Sequence, residues 1–553
     1  MGIITSAPAI AQTQIPPVLL PAPSPTLPQS PPRLPPPDDL IIPNAPQNPP
    51  SIPRENRDSD RKIIVNRFDV VGSSVFSNEE LAEVVKPFVN RPLSFAELLQ
   101  ARSAVTELYV SKGYITSGAF IPPQDLNAGT VKIQIVEGGI QEIKVSGGSK
   151  LNPDYVRSRL DIATSTPLNR DRLIEALQLL QINPLIASLS AELAVGDRVG
   201  QNILDVKFTE ANSLKLQLAL DNNRAPSVGS FRRRIQLSED NLTGFGDSFT
   251  AGYSNTDGSN GYDLNYTFPI NPYNGAIAVS LSNSNSNVIE PPFNSLDIYS
   301  NSTAIDLTYR QPFWQTVNQE FALGLTASYR ESLASILKIP FPLSAGADST
   351  GKTKLAILRF FQEYTQRSSN SVFALRSQFS LGTGLFGANI NNQPPDGRFV
   401  AWRGQAQYVN LLSPDTLLLI RGDLQLADRQ LVPLEQIGLG GQDTLRGYRQ
   451  DLLFGDNGTN LSVELRLPIM RVSEVAGLLQ LTPFIDAGMV WASSGQANPT
   501  TNLLVSTGLG MRWTMGDRLT ARLDYGIPLV AVQNNRKTLQ ENGLYFSLVY
   551  NLF

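Results

Sequence analysis

The sequence predicts a transmembrane antiparallel β-barrel of roughly 16 strands preceded by two small α+β domains. Three observations carry this. Beyond Ala211, segment after segment alternates apolar and polar residues with period two. Charged residues make up only 17% of the 553-residue chain, against roughly 25% in ordinary soluble proteins. Residues 63–211 hold one strand, helix, helix, strand, strand pattern twice over.

Residues 1–11 end in Ala9-Ile10-Ala11 before Gln12, like the tail of a secretory signal peptide without its basic start. No later apolar run reaches the ~18 residues of a membrane helix. Residues 12–62 form a Pro-rich linker, in which positions 16–53 hold 16 of the 40 prolines. Proline fixes φ and lacks a backbone donor, so this stretch is expected as a stiff extended tether, unable to join a helix or a sheet ladder.

The first module, residues 63–138, opens on a β-rich segment from Ile63 to Val71. Ser77-x-x-Glu80 and Ser94-x-x-Glu97 are capping boxes that start a short and a longer helix, the second running to Lys112 and stopped by Gly113. Ile115 to Ile121 and Val131-x-Ile133-x-Ile135 read as strands. The second module, residues 139–211, repeats the order: strand Ile143–Gly147, helices from Asn152 and Asn169, strands Leu189–Val195 and Leu204–Phe208. The offset is 75 residues from Gly72 to Gly147 and 73 from Val131 to Leu204, as a tandem duplication requires. Each thin sheet keeps edge strands able to accept an extended peptide.

Residues 212–553 are written in strands. Leu214, Leu216, Leu218 and Leu220 alternate with polar residues, as do Leu264, Tyr266 and Phe268, Phe321 to Tyr329, and Leu461, Val463, Leu465 and Leu467. Tight turns at Asn271–Gly275 and Ser413–Asp415 alternate with long polar stretches such as Asn283 to Asn301. That asymmetry, with so little charge, favours a membrane barrel over a soluble β-sandwich array.

Composition also excludes much chemistry. Histidine and cysteine both count zero, which removes disulfides, thiolate nucleophiles, imidazole bases and the common zinc sites. No catalytic residue, metal or cofactor is expected. Carboxylate-only chemistry stays open in principle, but no isolated carboxylate pair stands out. A net charge of −4 offers no field for nucleic acid.

One constellation draws notice. Gly438-Leu-Gly440-Gly441-Gln-Asp-Thr-Leu445-Arg446-Gly447-Tyr448 is a loop with one cation amid glycines. Downstream, Phe484-Ile-Asp486-Ala-Gly488 lies on a strand whose Ile485, Ala487, Met489 and Trp491 suit lipid, so Asp486 faces the lumen. The pattern suggests a loop folded inward and pinned by a charge-assisted Arg446–Asp486 pair, with glycines letting its backbone approach the wall. A lumen is ordinarily lined by unpaired solvated charges, and a wet lumen is expected to weaken the pair.

These residues carry a family resemblance. Leu445-Arg446-Gly447-Tyr448 resembles the Val-Arg-Gly-Tyr/Phe loop motif, and Phe484-x-Asp486-x-Gly488 the inner-wall motif, of outer-membrane polypeptide transporters that include the barrel-assembly insertase. The tandem modules resemble polypeptide-transport-associated (POTRA) domains, and two of them before a barrel resemble the ShlB/FhaC/HecB type of two-partner secretion transporter. The likeness covers residues 63–553. It implies a 16-stranded barrel in the outer membrane of a double-membraned bacterium, periplasmic modules, a secreted polypeptide partner in extended form, and Arg446 paired with Asp486 as a latch. It also implies that Phe553 serves as the C-terminal signal read by the barrel-assembly machinery. Three departures stand out: Leu445 replaces Val, the stretch that would correspond to a plugging helix is full of proline, and Asn551 sits where an apolar residue is usual.

No Walker loop is present, so transport would draw on the cargo's own folding outside. An assembly insertase and a passive diffusion porin remain the rival readings.

Overall fold

In the computed structural model, residues 41–43 and 62–553 are described, apart from 126–128, 494–496 and 533–536. The expected signal remnant, 1–11, lies outside the described residues, as does nearly all of the linker.

In the first module, strand Arg67–Val71 runs parallel to Thr130–Val136, which pairs antiparallel with Gly118–Phe120. Helices α1 (Asn78–Val85) and α2 (Phe95–Ser111) start where the capping boxes put them. Ser77 accepts from the Glu80 N–H at 3.2 Å while Glu80 accepts from the Ser77 N–H at 2.9 Å, and Ser94 and Glu97 repeat the exchange. Leu98, Ala101, Val105 and Tyr109 recur at helical spacing on the face of α2 that packs against Val131 and Ile133. Gly113, at φ +88°, ends the helix. The strand expected over 115–121 is shorter, because Tyr114 and Ser117 are spent on turn bonds to Tyr109 and Tyr114.

The second module repeats the plan with Gly139–Gly147 parallel to Gln201–Glu210, Ile186–Val195 antiparallel to the latter, and helices α3 (Pro153–Asp161) and α4 (Arg170–Gln181). Asn152 and Asn169 cap the two helices. One expectation fails here. Ile41–Pro43 adds a parallel strand to the outer edge of Ile186–Val195, in the register Ile41 to Ala191 and Pro43 to Leu193. Ile41 and Ile42 are a β-branched, proline-free pair, so the ladder is open to them despite the prolines around.

The barrel closes with sixteen long antiparallel strands, each paired with its neighbours in sequence, and a two-residue strand at Ile339–Pro340 folds back on one of them. Leu214–Asp221 pairs with Leu544–Asn551 to seal it, from Gln217 opposite Asn551 to Asp221 opposite Ser547. Outward faces carry Leu218, Leu264, Phe268, Leu325, Leu461 and Ile485, all exposed, as a lipid-facing band requires. Asn283–Asn301 is not one long loop. Asn283 and Asn285 sit in strand Ala276–Asn287, paired with Thr303 and Asn301, and only residues 288–298 connect. Cross-strand bonds such as Asn283 Nδ2 to Thr303 Oγ1 at 3.0 Å let these polar residues continue the ladder.

The second module sits on the barrel's near end. Lys150 pairs with Glu239 at 2.9 Å, the Asn152 N–H donates to Gly244 O at 2.7 Å, and Arg159 reaches Asn274 at 3.0 Å. The turns at that end, such as 316–318, 368–370 and 414–415, are short, and the longest connection, residues 428–456, leaves from the far end.

Candidate functional site

Residues 428–456 fold back into the barrel. Leu431, Val432 and Leu434 bury against Leu355, Ile357, Phe399 and Ala401 of one wall. A short hairpin, Ile437–Leu439 with Leu453–Gly455, then carries the tip. Gly440, Gly441 and Gly447 have φ of +115°, +97° and +98°, which allows the reversal that aims residue 446 at the opposite wall. The Gly441 N–H donates to the carbonyls of Leu445 and Tyr448, closing the tip on itself.

Strands Asn457–Val472 and Gly477–Trp491 run side by side, with Ser462 opposite Asp486 and Glu464 opposite Phe484 on the inner face. Arg446 meets all four. Its Nε and Nη2 donate to the two Asp486 oxygens at 2.7 Å each, a bidentate pair, and its own N–H reaches Asp486 at 3.2 Å. Nη1 donates to Glu464 at 2.6 Å, Nη2 also to Ser462 at 3.2 Å, and the guanidinium lies 3.4 Å above the Phe484 ring centre. All of its donor groups are thus engaged. Arg446 and Asp486 are 0% and 1% exposed, so the expectation of a wet, weakened pair is corrected: packing of the tip against the wall removes the water.

The lumen expectation changes as well. Glu464 is shared by Arg446, Arg466 at 2.9 Å and Arg522 at 2.8 Å, and Arg522 also holds Asp524 at 2.7 Å. Arg403 pairs with Asp423, and Arg310 and Arg376 both hold Glu363. Inner-wall charges are largely paired across strands.

The neighbouring motif residues fix the tip. Leu445 is buried against Val490 and Leu504. A Cβ at Gly488 would stand 2.8 Å from Leu445 Cδ1, and one at Gly526 would collide with the Gly447 amide nitrogen, so the wall is bare where the loop presses on it. Tyr545 donates to Tyr448 O at 2.6 Å and accepts the Gly447 N–H at 2.9 Å, and the Tyr448 hydroxyl donates to Val505 O at 2.6 Å.

A family model described as haemolysin secretion/activation protein ShlB/FhaC/HecB matches residues 200–513. The chain belongs to this family. A ShlB-type POTRA domain model matches residues 63–138 of this ShlB/FhaC/HecB protein. The outer membrane transporter CdiB of Escherichia coli O6:K15:H31 (strain 536 / UPEC) is 25% identical over 495 residues, 84% of this chain and 79% of that one. The heme/hemopexin transporter protein HuxB of Haemophilus influenzae (strain 86-028NP) is 23% identical over 497 residues, 85% of this chain and 84% of its own. Among solved structures, CdiB from Escherichia coli superposes with a TM-score of 0.68 at 20% identity, covering 92% of this chain and 93% of that one. BamA from Haemophilus ducreyi lacking POTRA domains 1–3 gives 0.53 at 14% identity, covering 89% and 100%. The barrel and POTRA architecture is therefore that of the family, and the protein is an outer-membrane transporter for a secreted protein partner.

Sequence reasoning placed Arg446, Asp486 and the loop glycines together but missed Glu464, Ser462, Arg466, Arg522, Asp524 and Tyr545. Glu464 and Arg466 had a signal: they are the charged residues of the alternating segment Leu461–Leu467. Nothing in spacing points to Tyr545. Phe553 lies beyond the last strand, half exposed, and does not join the site. Asn551, the departure at the chain end, bonds to Gln217 across the seam and to Asp517 O.

Proposed function

We propose that this transporter holds its two POTRA-type modules in the periplasm, takes up an unfolded secreted partner there as an extended chain, and passes it through the barrel lumen. Arg446 and Asp486 are the latch of the inward loop. The observation that carries this is the buried bidentate pair fastening a glycine-reversed loop to the inner wall, in a barrel whose near end bears modules built on thin sheets. Free sheet edges give main-chain hydrogen bonds to any extended sequence, and a polar lumen offers an unfolded chain partners without an apolar surface to stick to. The protein does no covalent chemistry on its cargo.

The test uses the full chain in detergent with unfolded N-terminal fragments of large secreted proteins from the same cell. One fragment should bind, and Arg446→Ala should lower its export several-fold at equal barrel levels. Undiminished secretion by that variant would remove the latch. Depletion of the protein should abolish one secreted product; a general fall in other outer-membrane barrels would favour an insertase instead.

A further inference from the structure

The loop touches the wall at a second charged point, far from Arg446. Glu435, near its rising end, has a side chain only 8% exposed, and both of its oxygens accept from Arg359, at 3.0 and 2.9 Å. Arg330 stands 3.7 Å away on the adjacent strand. These arginines belong to strands Lys352–Arg367 and Gln319–Ile336, whereas Asp486 lies five strands further round. Among the described residues neither arginine forms an ion pair with another carboxylate, yet one is near. Asp306 on strand Tyr299–Gln315 lies in register with Ser328, the residue that receives Arg359 Nε at 3.4 Å. On the same strand Ala304, two residues from Asp306, pairs with Arg330. Asp306 Oδ1 and Arg330 Nε are buried with no hydrogen-bond partner among the described residues. A spare acceptor and a spare donor thus sit beside a filled ion pair, an arrangement that costs stability unless a second pairing uses them.

We propose that Glu435 is a second pin of the inward loop, released independently of Arg446, and that Asp306 takes over Arg359 and Arg330 when Glu435 leaves. This rests on the reading of the loop as a gate. Glu435 is a positioning residue: it holds the loop against one wall while Arg446 holds it against the other, so the loop spans the lumen as a strut. Leaving two arginines that are only 11% and 12% exposed without a carboxylate would oppose release, and the stand-in removes that penalty. The wall pair then has two discrete arrangements, as a switch requires.

Single-channel recording of the full chain in planar bilayers tests it, with heat-modifiable gel mobility as the check on folding. Glu435→Gln should raise the open fraction about 5- to 10-fold. Arg359→Gln should do the same and add little to Glu435→Gln, because both break one pair. Combined with Arg446→Ala, the Glu435→Gln effect should multiply. Asp306→Asn should act in the opposite sense, lowering the open fraction several-fold, which a residue serving only barrel stability would not do. An open fraction unchanged by Glu435→Gln in both backgrounds overturns the pin, and a rise in Asp306→Asn overturns the stand-in. Should Glu435→Gln not fold, Glu435→Asp, which keeps the charge on a shorter arm, gives the same comparison. Cargo binding is not read here, so a gate without a cargo and a transporter without this pin give different results.

Discussion

At the scale of single residues, the Arg446 site is unusual in how completely it is satisfied. Removing one partner of a buried pair strands the other, so Asp486→Ala should cost on the order of 3–5 kcal/mol, read as a lower urea midpoint of the reconstituted barrel. Arg446→Lys should be nearly as damaging as Arg446→Ala, because an ammonium can neither bind both oxygens of Asp486 in one plane nor lie flat on Phe484. Gly526→Ala tests the bare wall: its methyl group would push on Gly447, so the loop tip should lose protection from hydrogen exchange while the strands keep theirs. Only part of this was legible beforehand. Alternation says which face a residue takes, and so placed Asp486 inside. It does not say which inner residues share a height, since that depends on strand stagger, and so it leaves Glu464, Arg522 and Asp524 unconnected.

At the scale of elements, the helices were the most readable, because a capping box is a local device that needs no tertiary context. Ser94→Ala should destabilise the first module by about 1 kcal/mol. The same cap gives a pH dependence. The Ser94 backbone N–H, then Arg91, hold the Glu97 carboxyl down at about 2. A carboxyl depressed on folding adds stability above its unfolded value and loses it as pH falls toward the folded one. Helical circular dichroism of the full chain should therefore weaken between about pH 4.5 and 2, and Glu97→Gln should flatten that dependence. The strands were legible as strands, but their ends were not. Polar side chains at 283–287 have the composition of a loop, although amide and hydroxyl groups bonded across a ladder extend it as well as apolar packing does. The Ile41–Pro43 strand was hidden by the prolines around it.

At the scale of the whole molecule, fold class and domain order followed from composition and periodicity alone, since a lipid-facing surface and a polar lumen leave a period-two imprint over hundreds of residues. The inward loop contacts widely separated parts of the barrel: Arg449 holds Glu290 and Glu541 in two far-end loops, and Asn223 donates to Asp443 from a third. It is therefore a keystone of the far end, and proteolysis of that end should become easier in Arg446→Ala. Deleting Phe553 should act earlier, lowering the amount of heat-modifiable barrel in cells several-fold, whereas Arg446→Ala should leave that amount unchanged.

On the proposed uptake of an extended chain at sheet edges, the parallel strand at Ile41–Pro43 makes recruitment on that edge an exchange reaction. Because it belongs to the same chain, its local concentration beside Ala191–Leu193 is of order millimolar, set by tether length and not by expression level. A visiting polypeptide at micromolar abundance cannot evict it by matching three rungs; it must offer a longer run of rungs or engage a second surface at once. Under that proposal, selectivity at this edge arises from cooperative length, without any side-chain code.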